Sequence, residues 1–169
     1  FRVGSFDIEC FSESGAFPQS TKKEDLVFQI ALSRQDYGRE GEMVQGLSLD
    51  PCLDKDTKTF KTEKELLMGF RDLVIEWDLD IITGWNVFGF DFEYIMNRYK
   101  DDKAFMDRFG QFGRFLDDRG KSKLTEKVLS SSAMGDNKMN ILPMSGRFVF
   151  DMMQHVKREM NMDSYSLNN

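Results

Sequence analysis

At 169 residues, with 40% hydrophobic and 31% charged side chains, the chain has the size and composition of one globular domain able to bury a core. A formal net charge of −6 argues against a long basic surface that grips duplex DNA. The single His, His155, excludes a His-rich zinc site and leaves little scope for a serine-type triad. Cys10 and Cys52 lack metal-type spacing and are expected to stay reduced thiols in an intracellular protein. No run is apolar enough to cross a membrane, and FRVGSFDIEC does not read as a signal peptide. The start at Phe1, directly on a strand, and the end at SYSLNN, without a capping element, are expected to be cuts in a longer chain.

RVGSFDIEC reads as a first strand, and SESGAFPQSTKKED as a loop broken by Gly15 and Pro18. LVFQIALSRQDYG and EMVQGLSL read as two further strands. Thr62 followed by Glu65 predicts a capping box, opening a helix with Leu66, Leu67, Phe70, Leu73, Val74 and Trp77 at helical spacing. DIITGWNV predicts a short buried strand that stops at Gly84, and FDFEYIMNRYK a helix. From 101 to 140 the pattern weakens into loops and short elements. SGRFVFDMM then predicts a strand and MMQHVKREM a helix, with Asp151 as its cap and His155 half-buried. Antiparallel strands first, then parallel additions through helices, is an α/β order with a mixed sheet. That order suits an RNase-H-like fold, among other α/β folds.

Two stretches carry chemistry. In FDIECFS, Asp7 and Glu9 share one face of a strand, about 7 Å apart at roughly 3.3 Å per residue, while Phe6, Ile8 and Cys10 take the other. Such pairs arise often on solvated faces in a chain with 29 acids. On a buried strand, however, two like charges cost several kcal/mol each unless something pairs with them, and Mg²⁺ or Mn²⁺ prefers carboxylate oxygens. In ITGWNVFGFDFEYI, Asn86 and Asp91 bracket the turn from a strand into a helix. Both residue types are good helix caps, but one helix needs only one. The turn also lies at the carboxyl end of a strand, where α/β sheets place ligands.

Together FDIE and WNVFGFDFEYI, some eighty residues apart, resemble the first two exonuclease motifs of B-family DNA polymerases. SSSAMGDN, SGRFVFDMMQHVKRE and MDSYSLNN resemble the segment after the second motif in delta-type polymerases, especially those of large DNA viruses. The resemblance covers nearly the whole chain and is weakest over 101–128. It implies a proofreading exonuclease fold over residues 1–169, incomplete at its C-terminal end, with palm, fingers and thumb absent. It implies 3′–5′ hydrolysis of a primer end with two ions of Mg²⁺ or Mn²⁺: Asp7 bridging both metals, Glu9 on one of them and orienting water, and Asp91 serving the second. Asn86 would lie near the terminal nucleotide and Phe90 would pack behind the turn. The partners implied are a DNA primer-template, its single-stranded 3′ end and a sliding clamp reached through absent regions. The implied location is the host nucleus or a cytoplasmic virus factory.

One departure stands out. The family carries a further Tyr-x-x-x-Asp motif, and no Tyr in this chain has Asp four residues later; Tyr165 has Asn169 there. The motif is expected beyond position 169, so the isolated chain is expected to be inactive. Asp151 and Asp163 read better as a cap and a turn residue than as substitutes. Trp77 and Trp85 read as core. Arg114, Arg119, Lys121, Lys123 and Lys127 read as a solvated face before a DNA-tracking one, and FGQFGRF is a weak candidate for stacking bases. The rival readings are a free-standing two-metal nuclease of the same fold and an inert module that binds single strands.

Overall fold

The computed structural model describes residues 1–131 and 135–167, so Ser132 to Met134 of the SSSAMGDN stretch, and Asn168 and Asn169, lie outside the described residues. In chain order the elements are β1 (Arg2–Cys10), β2 (Val27–Asp36), β3 (Glu42–Ser48), β4 (Lys58–Thr59), α1 (Glu63–Glu76), β5 (Ile81–Thr83), α2 (Asp91–Asn97), α3 (Lys103–Phe109), β6 (Thr125–Ser131), β7 (Gly135–Ile141), β8 (Phe148–Val149) and α4 (Met152–Glu159). Six strands form one sheet in the order β4-β3-β2-β1-β5-β8, and β6 pairs with β7 in a separate hairpin. The strands β1 to β3 are antiparallel neighbours, whereas β5 runs parallel to β1 and β8 parallel to β5. This is the mixed α/β sheet expected from the element order.

Alternation along β1 sends Phe6 and Ile8 into the core and leaves Asp7 and Glu9 on the opposite face. Phe6 packs against Phe70 of α1, with ring centroids 5.0 Å apart, and against Phe92 of α2 at 5.3 Å. Phe70 continues to Phe112 at 6.1 Å, and Phe112 to Phe109 at 5.3 Å. Phe109 and Phe112 are therefore core residues and not platforms for stacked bases, while Phe115 is exposed beneath the Arg119 guanidinium.

Helix α1 begins as its sequence predicts: the Thr62 side chain accepts from Glu65 N–H, and the Glu65 carboxylate accepts from Thr62 N–H. The adjacent Glu63 does more. Its carboxylate is buried against Arg98, with Nε–Oε1 at 2.7 Å and Nη2–Oε2 at 2.8 Å. It also accepts from the Val27 backbone and the Tyr99 hydroxyl. Arg98 in turn donates to the carbonyls of Ser20, Lys22 and Lys23. One ion pair thus ties α1, the end of α2, the start of β2 and the loop before it.

At the amino ends of β1 and β5, Arg2, Arg114 and Arg147 converge on Asp78, and Arg114 also reaches Asp80. Arg114 is committed to that cluster, Arg119 pairs with Asp117, and Lys121 pairs with Asp107 and Asp118. Trp77 is core, as expected. Trp85 is only half-buried and donates to the Tyr165 carbonyl, and His155 is exposed instead of half-buried.

Removing one partner of a buried, hydrogen-bonded ion pair strands the other charge. Glu63→Ala should therefore lower unfolding free energy in urea by about 3–5 kcal/mol. A loss under about 1 kcal/mol, the scale of a surface pair, would show that the pair holds nothing together.

Candidate active site

The strands β1, β5 and β8 all run the same way, so their carboxyl ends open on one edge of the sheet, the edge where α/β sheets bind ligands. Asp7 and Glu9 lie toward that end of β1, and the backbone register slips between Glu9 and Cys10. The segment after β5 is pressed onto β1: a Cβ on Gly84 would lie 2.4 Å from the Phe6 carbonyl oxygen. No side chain fits there, which is why the apolar run ends on glycine.

Asn86 takes a left-handed conformation with φ of 61°, which Asn tolerates better than most residues. Its side-chain oxygen folds over Gly89, where a Cβ would stand only 2.3 Å from it. The loop is held from across the sheet by Asp151, at the end of β8, whose carboxylate accepts from Asn86 N–H at 3.1 Å and Phe88 N–H at 2.9 Å. Asp151 also caps α4, as its sequence suggests, through Met153 N–H and Gln154 N–H. From the hairpin, Asn140 N–H donates to the Phe88 carbonyl at 2.7 Å, and the Asn140 amide donates to Glu93 at 2.6 Å. Sequence reasoning missed both roles. Asp151 carried only the signal of a cap, and Asn140 sits in a polar stretch with no periodicity.

Capping does not account for Asn86 or Asp91. The N-cap of α2 is Phe90, with no side-chain cap bond, and Asp91 is the first helical residue. Asp91 is 2% exposed and its Oδ1 has no hydrogen-bond partner. Burial, then the nearby negative charge of Asp7, push its carboxyl up to about 7. Asp7 keeps contact with solvent, yet its partial burial raises it as well, and the Ile8 backbone N–H lowers both groups. The structure therefore brings Asp7 and Asp91 within electrostatic reach of each other. Glu9 shares the face of Asp7 on β1 and is exposed. Among the described residues, no three His, Cys, Asp or Glu side chains form a group that could hold a metal ion. The donor chemistry nonetheless fits a hard divalent cation: carboxylate oxygens only, one of them buried and unpartnered.

Beside these acids, Phe90 is half-buried between Tyr94, at 5.1 Å, and Phe17, whose ring meets it edge-on at 5.3 Å. Phe17 is 73% exposed. A cavity of about 330 Å³ lies here, lined by Phe17, Gln19, Thr21, Gly89, Phe90 and Glu93 among others. Phe17 was invisible in the sequence because it sits in a loop without periodicity. Cys10, beneath the site, is pushed up to about 12 by burial and stays an inert thiol.

A mixed sheet with β1 at its centre and acids at the carboxyl ends of its parallel strands is the α/β architecture of RNase-H-like domains. The sequence profile of the DNA polymerase family B exonuclease domain matches residues 1–169, and the chain belongs to that family. It is 35% identical to the DNA polymerase delta catalytic subunit of Arabidopsis thaliana, over 99% of this chain and 15% of that protein. It is 38% identical to a DNA polymerase of Pyramimonas orientalis virus, over 87% of this chain and 12% of that protein. It is 34% identical to DNA polymerase 120R of Invertebrate iridescent virus 3, over 96% and 15%. The chain thus spans about a seventh of the length of these relatives.

The raised carboxyl of Asp91 has a pH signature. Its value in the fold, about 7, lies above the ordinary 3.8, so the folded state holds this proton more tightly than the unfolded chain. Stability from this group is full below about 3.8 and is lost as pH rises through about 7. In EDTA, the wild-type chain should lose stability between pH 5 and pH 8 relative to Asp91→Asn, and Mg²⁺ at pH 8 should recover it. Matching pH slopes for the two proteins in urea titrations would remove Asp91 as the source.

Proposed function

We propose that this chain is the 3′–5′ proofreading exonuclease region of a family B DNA polymerase and hydrolyses the phosphodiester at a primer 3′ end. The observation that carries this reading is Asp91, buried with an unpartnered oxygen and raised by that burial and then by the neighbouring Asp7. That much negative charge at the open edge of a sheet is costly unless a cation offsets it.

Asp7, Glu9 and Asp91 would hold two ions of Mg²⁺ or Mn²⁺. When bound, such a pair lowers the pKa of attacking water and stabilises the leaving 3′ oxygen. The chain's own residues do the rest. The Asp151 clasp fixes the 86–88 loop and with it the height of Asp91 above β1. Asn86 would lie near the terminal nucleotide. Phe90 and Phe17 form one wall of the adjoining cavity, an apolar edge for the terminal base that keeps water from its face.

In this reading residues 1–169 are an exonuclease region whose last acid, in a Tyr-x-x-x-Asp motif, lies further along the parent. Polymerisation would reside in other regions of the parent, with primer-template DNA as partner and a sliding clamp engaged elsewhere. The family match over the whole chain, together with relatives called DNA polymerases, supports this over a free-standing nuclease. The cell compartment would be the one where that parent replicates DNA, a host nucleus or a cytoplasmic virus factory.

In the full-length polymerase, Asp7→Ala with Glu9→Ala should cut 3′ trimming of a 5′-labelled single strand by at least about 10²–10³-fold, the scale of losing one transition-state-stabilising group. Nucleotide incorporation should stay largely intact. Equal loss of both activities would count against the assignment.

Trimming by the isolated chain should be absent and should appear in a version extended toward the missing Tyr-x-x-x-Asp motif, with EDTA silencing it. Extension without gain, in a protein that still binds single strands, would favour an inert module.

A further inference from the structure

A second cleft lies at the far end of α2, roughly 9 Å from Asp91 along the helix at 1.5 Å per residue. It has a volume of about 410 Å³, within the range of small-ligand sites. Met96, Met106 and Leu124 give it an apolar floor, and Lys100, Lys103, Lys121 and Lys123 stand around it against a single acid, Asp107. Lys121 is itself neutralised, by Asp107 at 3.2 Å and by Asp118, outside the lining, at 3.0 Å. The other three lysines are exposed and make no ion pair among the described residues. In a chain of net charge −6, three unpaired lysines about one cleft are a local reversal of sign.

Ser122 adds an independent observation. It lines the cleft, is 4% exposed, and its hydroxyl has no hydrogen-bond partner among the described residues. Its own backbone N–H is already spent on the Gly110 carbonyl at 2.7 Å. A buried hydroxyl is almost always partnered, so an orphan at the foot of a lysine-rimmed cleft points to a ligand with an acceptor there.

We propose that this cleft binds a nucleotide unit of single-stranded DNA, its phosphate among Lys100, Lys103 and Lys123 and its base against Met96, Met106 and Leu124. The choice of DNA as ligand rests on the exonuclease reading. The pairing of groups does not: lysine ammoniums match a phosphate, and methionine side chains adapt to a flat apolar face. The site would hold the strand away from the acids at Asp7 and Asp91, at the other end of the same helix.

The test is a titration of the chain with oligo(dT), in EDTA to prevent hydrolysis, followed by amide and methionine-methyl NMR. Shifts should appear at Ser122, Gly110, Met96 and Met106, and should persist in Asp7→Ala. The double variant Lys100→Gln with Lys123→Gln should weaken oligomer binding roughly tenfold at low salt. It should also lower the slope of log K against log salt by about 0.7, the increment for the one phosphate held there on a single strand. Shifts confined to Phe17, Asn86 and Asp91, or an unchanged salt slope in the double variant, would overturn the site while leaving the exonuclease reading intact. Displacement of the oligomer from Ser122 by an acidic peptide of equal length at lower concentration would overturn it in favour of a protein ligand. Cleft shifts in a parent polymerase that shows no trimming would keep the site and remove the exonuclease reading.

Discussion

Repulsion between Asp7 and Asp91 is the constraint around which the rest of this domain is arranged. The two acids come from segments more than eighty residues apart, and their charge works against the meeting of those segments. What forces them together is on the other side of the same backbone. Phe6 precedes Asp7 and faces the core, and Phe92 follows Asp91 and does the same, with the two rings 5.3 Å apart. Each acid is therefore attached to a large side chain whose burial is worth on the order of 1.5–3 kcal/mol. The alternation of β1 and the start of α2 convert that gain into a fixed approach of carboxylates.

The loop between β5 and α2 needs a different kind of support, because little of its backbone joins a ladder. Its left-handed Asn86 and the glycine beneath that side chain set its shape. Asp151 then supplies acceptors for two of its amides while also capping α4. One carboxylate performing three tasks is feasible because it sits at the end of β8, level with the loop and with the helix that follows. Asn140 closes the opposite side from the hairpin. The position of Asp91 is thus determined by β1, β8 and the hairpin together, and none of these is its neighbour in sequence.

That distribution explains what the sequence could and could not reveal. β1, the Thr62 capping box and the strand ending at Gly84 are local patterns, set by alternation, by one side-chain pair and by a single close approach. They were legible for that reason. The hairpin was not, because TEKVLSS and GDNKMNI show no sustained alternation; their order comes from pairing with each other and from the burial of Met139, with Ile141 packed against the core. Helix α3 was hidden by flanking glycines and lysines, although Phe105 and Phe109 on it reach the aromatic core. Asp151 announced itself as a cap and concealed its grip on the loop, since a hydrogen bond across 63 positions leaves no trace in spacing. Phe109 and Phe112 remained weak candidates for stacking bases because nothing in their spacing points to Phe70, the ring that Phe112 meets in the core.

Net charge proved the least informative number. Part of the basic complement is spent on ion pairs within the fold: Arg98 on buried Glu63, and Arg2, Arg114 and Arg147 on Asp78 and Asp80. Paired charges of that kind lend the surface little field. What remains is polarised along α2, with unpaired carboxylate at its amino end and uncommitted lysine beyond its carboxyl end. A polyanionic strand meets the field at its own position, over a Debye length of about 8–10 Å, and not the sum over the chain. An acidic protein built this way presents attraction at one end of the helix. At the other it presents a charge that calls for a cation before phosphate can approach.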